Sequence, residues 1–306
     1  MSGPAKPTSR ATLLVLASAC CFGSIPILIT LAIGSGARLI DVLFWRYAIA
    51  SVLLVLVSGG LSAVRLPGRA AFPLLVFAGG GQALIAYVSL SALRYIPAAS
   101  LTFLFYTYPA WVAVISALRG TERLSGGRAA ALALSLAGIA LMVGMPGSGG
   151  LNPAGATLAL TAALLYALYI PMIDHFGRGI PPAVTSAYAT AGAAVVLLAA
   201  SLLNGGPGAN LAPIAWACIA LLAIVATVLA FIAFLRGLAV IGPVRTAIVS
   251  TVEPFWTALL GSVVLGQQLG PRTFAGGMLI AAAVIVLQLG HRAGPIVLAD
   301  LTRSEE

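Results

Sequence analysis

The sequence predicts an all-α membrane protein with ten transmembrane helices arranged as two inverted five-helix repeats. Three observations lead to this prediction. The 306 residues are 61% hydrophobic and only 8% charged, whereas a soluble domain carries about 25% charged residues. The chain divides into apolar segments that each approach the ~20 residues a helix needs to cross a bilayer. Finally, the two halves of the chain share residues at a constant spacing.

The ten apolar segments, numbered span 1 to span 10, are separated by short connections rich in glycine and proline, which interrupt regular structure. No connection is long enough to hold a soluble domain, so catalysis outside the membrane is not expected. The spans cover approximately residues 11–33, 41–59, 73–93, 98–118, 128–146, 154–173, 182–203, 213–235, 244–265 and 272–290.

The basic residues predict the orientation of the chain in the membrane. With the N-terminus inside, twelve lysines and arginines fall on the inner side and three on the outer side, while Arg46 lies within span 2. The positive-inside rule then predicts that both termini lie in the cytoplasm. The expected location of the protein is the inner membrane of the cell. Because the basic residues lie singly between apolar spans, without interleaved aromatic residues, no nucleic-acid partner is predicted.

An internal repeat relates the two halves at an offset of 145 residues. The matching pairs are Pro26 with Pro171, Pro109 with Pro254, Trp111 with Trp256, Glu122 with Gln267, and Leu124 with Leu269. Each half holds five spans, and an odd number forces the halves into opposite orientations, as in many secondary transporters. The predicted units are a cytoplasmic tail 1–10, a first repeat 11–146, a linker 147–153, a second repeat 154–290 and a cytoplasmic tail 291–306.

Span 9 carries the strongest functional signal, because Glu253 lies near its middle. A carboxyl group in the bilayer is costly and typically marks a functional site. Thr246, Ser250, Glu253, Thr257 and Gly261 share one helix face. Glu253 is interpreted either as a proton-coupling or cation-binding carboxylate, or as a hydrogen-bonded acid that repairs the backbone break at Pro254. Four prolines are predicted hinges: Pro26, Pro109, Pro171 and Pro254.

Span 4 is predicted to face span 9 across a central cavity, with spans 1, 3, 6 and 8 completing the wall and spans 5 and 10 at the periphery. The 145-residue offset aligns Glu253 with Tyr108. The wall formed by span 4 is therefore expected to be aromatic at the position where the wall formed by span 9 is acidic. Such a cavity suits an organic molecule that carries an amine. The alternative for the aromatic residues is packing or anchoring at the membrane interface. The further wall candidates are Tyr106, Trp111, Gln82, Tyr166 and Tyr169.

Arg46, a few residues into span 2, has two interpretations. It is either a ligand for a substrate carboxylate, or a side chain that reaches toward the headgroups or pairs with Asp41; the second is favoured. Asp174 and His175, at the inner end of span 6, are expected to be interfacial.

Several chemistries are excluded by residue content. Lys6 is the sole lysine, so a retinal Schiff base within a span is excluded, and no nucleotide-binding P-loop motif is present. His175 and His291 are too few for a metalloprotease, and Cys20, Cys21 and Cys218 form neither a disulfide framework nor a metal site. We therefore predict no metal, no cofactor and no enzymatic activity, and expect transport to be driven by a gradient.

Two short sequence motifs, together with the repeat, resemble those of a known protein family. Phe44-Trp45-Arg46 opens span 2, and Thr121-Glu122-Arg123-Leu124 comes after span 4. Together with the two five-helix halves, from about residue 11 to 290, they resemble the drug/metabolite transporter superfamily and, more narrowly, its EamA-type ten-helix exporters. Gln267 stands where that family usually has glutamate. The resemblance implies export of metabolites and amino acids, including aromatic amino acids as in exporters of the YddG type.

The sequence thus favours a secondary transporter that exports amino acids or related small amphipathic metabolites across the inner membrane by alternating access. The alternative is a multidrug-type exporter that exchanges protons for lipophilic cations at Glu253. A channel or a membrane enzyme is less favoured, since no convergent set of titratable groups is evident. The expected partners are a small-molecule substrate, membrane lipid and protons.

Overall fold

The computed structural model describes residues 7–92, 94–96, 101, 104–120, 125–143, 152–266 and 270–289. Every regular element within these residues is a helix, which confirms the all-α prediction. Six of the helices are long and apolar enough to cross a membrane, and four shorter apolar helices accompany them. The Thr121–Leu124 motif, Gln267, residues 144–151 of the connection between the halves and the C-terminal tail lie outside the described residues.

The helices match the ten predicted spans. In the first half, span 1 is Pro7–Gly23 and Ile25–Gly34, span 2 is Leu39–Val57, span 3 is Gly68–Pro73, Leu74–Gly79 and Gly80–Ala92, span 4 includes Tyr108–Leu118, and span 5 is Gly126–Val143. In the second half, span 6 is Pro153–Phe176, span 7 is Pro182–Leu202, span 8 begins with Pro213–Ala223 and Ile224–Leu229, span 9 ends with Glu253–Leu265, and span 10 is Pro271–Leu289. A helix assigned as Ala230–Ser250 joins spans 8 and 9 through Gly242, whose φ of 77° and ψ of 168° mark the turn between them.

Spans 4 and 9 are interrupted at equivalent positions. The interruptions fall at 106–107 and at 251–252, which are related by the 145-residue offset. The N–H groups of Thr107, Thr251 and Val252 bond to carbonyls three residues earlier, as in a tight 3₁₀ turn. The second halves then begin at Tyr108 and Glu253, each with a proline next to it in the first helical turn, where a missing N–H costs no hydrogen bond.

Spans 1 and 6 differ although the repeat relates them. Span 1 is interrupted at Ser24, two residues before Pro26, whereas span 6 runs unbroken through Pro171. The Thr257 hydroxyl of span 9 donates to the carbonyl of Gly23 at the interruption, at 2.9 Å. The equivalent of Thr257 in the first repeat is Val112, which has no hydroxyl to offer span 6. Among the four predicted hinge prolines, the helix is continuous before Pro171 and interrupted before the other three.

A π-helical turn occurs in span 3 and in the equivalent span 8. These turns cover Leu74–Gly79 and Ile224–Leu229. A π turn inserts a residue into the helix, shifts the register of the residues after it and is frequent at functional sites. In span 8 the turn accepts two hydrogen bonds from the Arg46 side chain.

Contacts between spans repeat across the two halves. Span 1 packs on span 8 as span 3 packs on span 6, and span 2 packs on span 7. Spans 5 and 10 pack chiefly on each other, where the backbones approach so closely that a methyl group on Gly138 would lie 2.6 Å from the Gly276 carbonyl oxygen. Their position at the edge of the bundle agrees with the peripheral location predicted for them.

The run of glycines at 79–81 offers a stability test with an internal control. A methyl group on Gly79 would lie 2.5 Å from the Cα of Gly192 in span 7, whereas one on Gly80 would meet no atom within 4 Å. We expect Gly79→Ala to lower the thermal unfolding temperature, because overpacking typically costs about 1–3 kcal/mol. Gly80→Ala should leave it unchanged or raise it. Equal effects of the two substitutions would contradict this packing.

Candidate functional site

A central cavity of about 210 Å³ lies between the two halves. Spans 1, 3, 4, 6, 8 and 9 contribute to its wall as predicted from the sequence, and span 2 contributes in addition. The lining residues are Phe22, Ile25, Ile29, Leu43, Arg46, Tyr47, Gln82, Ile85, Ala86, Ser89, Phe105, Tyr108, Tyr166, Tyr169, Phe231, Phe234 and Glu253. Spans 5, 7 and 10 provide none of them.

Glu253 is the acidic group of this cavity. It is half-buried and occupies the first turn of the second half of span 9, where the helix dipole favours negative charge. The Tyr106 hydroxyl lies near its carboxyl group and interacts with it. One turn earlier on span 9, Ser250 is hydrogen-bonded to the Tyr108 hydroxyl. Two tyrosines of the first repeat thus hold two polar residues of the second.

Aromatic rings of spans 4 and 6 form one continuous wall of the cavity. Tyr166 stacks on Phe105 at 5.5 Å between centroids and meets Tyr108 edge-on at 4.7 Å. Tyr169 stacks on Tyr166 at 6.2 Å. These are the preferred geometries of aromatic pairs, so the wall is a preformed apolar surface suited to a flat or branched organic group.

Arg46 is the basic group of the cavity, and the favoured sequence interpretation of it was wrong. Its side chain does not reach toward the headgroups, because the residue is 4% exposed. Asp41 pairs instead with Arg38, at 2.7 Å. The Arg46 Nε donates to the Thr227 hydroxyl at 2.7 Å, and Nη2 donates to the Ala226 carbonyl at 3.0 Å. Both acceptors belong to the π-helical turn of span 8.

These two hydrogen bonds leave part of the guanidinium available. Among the described residues, Arg46 Nη1 has no hydrogen-bond partner, and Arg46 lines the cavity with Glu253. The guanidinium carbon lies 5.0 Å from the ring centroid of Tyr47, whose hydroxyl accepts a 3.0 Å hydrogen bond from Gln82 Nε2. A positive and a negative group therefore face one small cavity beside an aromatic wall.

The predicted site residues separate into three groups. Glu253, Tyr108, Gln82, Tyr166, Tyr169 and Arg46 line the cavity. Tyr106 and Ser250 lie behind the wall and bind Glu253 and Tyr108. Trp111 is 40% exposed on the outside of the bundle, and the Thr257 hydroxyl is bonded to backbone carbonyls, so neither of them contributes to the cavity. Sequence reasoning missed Tyr47, Phe231 and Phe234, although Phe231 and Phe234 share a helix face at i, i+3.

A second and larger cavity, of about 940 Å³, lies at one end of the bundle. We call it the arginine-lined cavity, because Arg119, Arg128 and Arg178 contribute to it. Asp174 and His175 also line it, at the end of span 6 as predicted, and Asp174 pairs with Arg178 at 3.1 Å. Gly242 and Pro243, at the turn between spans 8 and 9, form part of its wall.

Comparisons with known proteins agree with this architecture. The sequence profile of the EamA-like transporter family matches residues 9–144 and 153–289. The uncharacterized transporter YcbK of Bacillus subtilis (strain 168) is 29% identical over 125 residues, which make up 39% of this chain and 40% of that protein. The match thus spans less than half the length of this relative. One solved crystal structure covers 93% of this chain and 98% of its own, with a TM-score of 0.79 and 21% identity, and it shows the fold alone.

Proposed function

Because the chain belongs to the EamA-like transporter family, we propose that it is a secondary transporter that exports amino acids or related small amphipathic metabolites by alternating access. The observation that carries this proposal is the placement of Arg46 and Glu253 on one cavity beside an aromatic wall. Arg46 Nη1 binds the substrate carboxylate, Glu253 binds the ammonium group, and the wall receives the side chain. Charge-assisted hydrogen bonds of this kind are the strong ones.

The size of the cavity supports a small substrate. Sites for drug-sized ligands measure roughly 300–1,000 Å³, and the central cavity measures about 210 Å³. An amino acid fits this volume better than a large lipophilic drug. In addition, a buried arginine on the wall opposes the binding of a cation that has no carboxylate to pair with it.

A multidrug-type exchange of protons for lipophilic cations is the second candidate. It is favoured by Glu253 and by the aromatic rings, which bind cations over their faces. The two candidates make opposite demands on Arg46. An amino acid needs this arginine, whereas a lipophilic cation is better bound without it.

The proposal is tested by reconstituting the purified protein in proteoliposomes and measuring counterflow with a panel of amino acids, their amides and cationic dyes. We expect saturable uptake that amino acids compete for, and that amides and dyes compete for poorly. Saturable transport of dyes alone would favour the second candidate. Conductance that does not saturate with substrate would indicate a channel and contradict both.

We further propose the orientation and unit boundaries that the sequence predicts. The chain then lies in the inner membrane with repeats 11–146 and 154–290, the linker 147–153, and cytoplasmic tails 1–10 and 291–306. In a background without the native cysteines, single cysteines at the exposed positions Ser62 and Ala209 report the two faces. Ala209→Cys should react with an impermeant maleimide added outside intact cells, and Ser62→Cys only after lysis. The reverse pattern would overturn the orientation.

A further inference from the structure

The first half of span 9 connects the two cavities of the protein. Gly242 and Pro243 line the arginine-lined cavity at its beginning, and Glu253 lines the central cavity at its end. At a rise of about 1.5 Å per residue, these ends are about 15 Å apart. Thr246 and Ser250 lie between them at positions i−7 and i−3 relative to Glu253, and therefore on the same helix face.

Span 4 runs antiparallel alongside this stretch. Tyr106 binds Glu253, and Tyr108 binds Ser250 one turn further along. At the other end of span 4, Arg119 lines the arginine-lined cavity together with Gly242. The face of span 9 that carries Thr246, Ser250 and Glu253 is thus covered by span 4 from one cavity to the other.

Thr246 lies in the middle of this stretch and is fully buried. It is 0% exposed, and its hydroxyl has no hydrogen-bond partner among the described residues. A threonine within a helix normally donates to the carbonyl three or four residues earlier, as Thr251 does to Ile248 at 2.7 Å. For Thr246 the carbonyl four residues earlier belongs to Gly242, where the backbone leaves the helical conformation. A buried hydroxyl without a partner is costly, and such a group is commonly satisfied by an internal water.

We propose that Thr246 binds one water of a short file of water molecules and that this file and the Ser250 hydroxyl form the path by which Glu253 exchanges protons with the arginine-lined cavity. A hydronium ion in that cavity passes a proton to the file, each water and then the Ser250 hydroxyl accepts one proton and donates another, and the last transfer converts the Glu253 carboxylate to the acid. The reverse sequence returns it. This inference rests on the proposed function in one respect, because the proton exchange at Glu253 has a role in transport only if the protein is a transporter.

Several titratable groups lie within electrostatic range of Glu253 on the elements packed around it. They are Arg46 of span 2, Tyr106 and Tyr108 of span 4, Tyr166 of span 6 and Cys20 of span 1. On its own span, Arg245 lies about two turns earlier. Tyr108 is shared with the path, because its hydroxyl is bonded to Ser250.

The path is tested by the rate at which Glu253 is protonated after a pH jump. Protein inserted in one orientation in liposomes is exposed to acid on the face of the arginine-lined cavity, and the protonated carboxyl is monitored by time-resolved infrared spectroscopy. The Glu253 band is the one that Glu253→Gln removes. We expect Thr246→Val to slow protonation about tenfold, the effect of one lost hydrogen bond at the upper end of the usual range. Thr246→Ser should restore the wild-type rate.

Thr251→Val is the matched control. Thr251 is equally buried on the same span, but its hydroxyl is bonded to its own helix, so the rate should not change. Wild-type kinetics in Thr246→Val, equal slowing in Thr251→Val, or protonation that responds only to acid on the opposite face would each overturn the path. Because this readout needs no substrate, a wild-type protein that transports no amino acid would overturn the proposed function and leave the path standing.

Discussion

Replacement of Glu253 by glutamine is expected to abolish the response of transport to a pH gradient while the protein still folds and binds substrate, with a raised KM because a neutral amide replaces the carboxylate at the ammonium group. Glutamine keeps the shape of the side chain and an oxygen that can interact with the Tyr106 hydroxyl, but it cannot titrate. Counterflow, which needs no net proton movement, should therefore persist in proteoliposomes. Uptake driven by a pH gradient should fall to the level measured without a gradient.

Glu253→Asp is the control for this experiment. Aspartate retains the carboxylate, but its side chain is shorter by one methylene group. We therefore expect a lower transport rate with the pH response preserved. A glutamine variant with wild-type pH dependence would exclude coupling and leave Glu253 as a hydrogen-bonded acid that stabilises the interruption before Pro254. A variant that fails to insert or fold would lead to the same structural interpretation.

Replacement of Arg46 by glutamine is expected to raise the KM for amino acids about 10- to 100-fold. A hydrogen bond to a charged group contributes about 1.5–3 kcal/mol, and each 1.4 kcal/mol is about tenfold in affinity. The KM for the corresponding amino-acid amide, which lacks the carboxylate, should change much less. Competition by acids and amides in the counterflow assay measures this difference.

Arg38→Gln provides a matched control for Arg46→Gln. Arg38 precedes the same span, but it is bonded to Asp41 and to the carbonyls of Asn204 and Gly206 in the connection between spans 7 and 8. We expect its replacement to leave the KM of acids and amides unchanged. If Arg46→Gln weakened acids and amides equally, the residue would instead serve to join span 2 to the π-helical turn of span 8.

The spans and the acidic side of the cavity could be predicted because they depend on patterns that a sequence displays. Hydrophobic segments give the spans, and the pairing of Pro-x-Trp motifs at a fixed offset gives the repeat. Glu253 is conspicuous because carboxyl groups are rare within spans. Its partner could not be predicted, since the offset aligns Glu253 with Tyr108, and residues related by the repeat are equivalents rather than neighbours. The structure pairs Glu253 with Tyr106 instead.

The role of Arg46 could not be predicted, because it depends on a feature that leaves no trace in hydropathy. The Ile224–Leu229 turn has the same apolar character as the helix around it, yet its π-helical backbone places the Thr227 hydroxyl and the Ala226 carbonyl where they accept from Arg46. Pro26 and Pro171 show the same limitation. Both are prolines within spans, and only contacts such as that between Thr257 and Gly23 distinguish the broken helix from the continuous one.

The equivalent interruptions of spans 4 and 9 have a consequence for the origin of the chain. Features shared by both halves at one offset are most simply inherited from a single ancestral unit of five spans. Two copies of such a unit form this bundle only when they insert in the membrane in opposite orientations. Because an excess of arginines on one side fixes the orientation, the ancestral unit needed similar numbers of arginines on its two sides in order to insert both ways. The present asymmetry of basic residues would then have arisen once fusion had fixed each copy in one direction. Fusion also freed the two copies to diverge, so that equivalent positions now hold a carboxyl group at 253 and a phenol at 108.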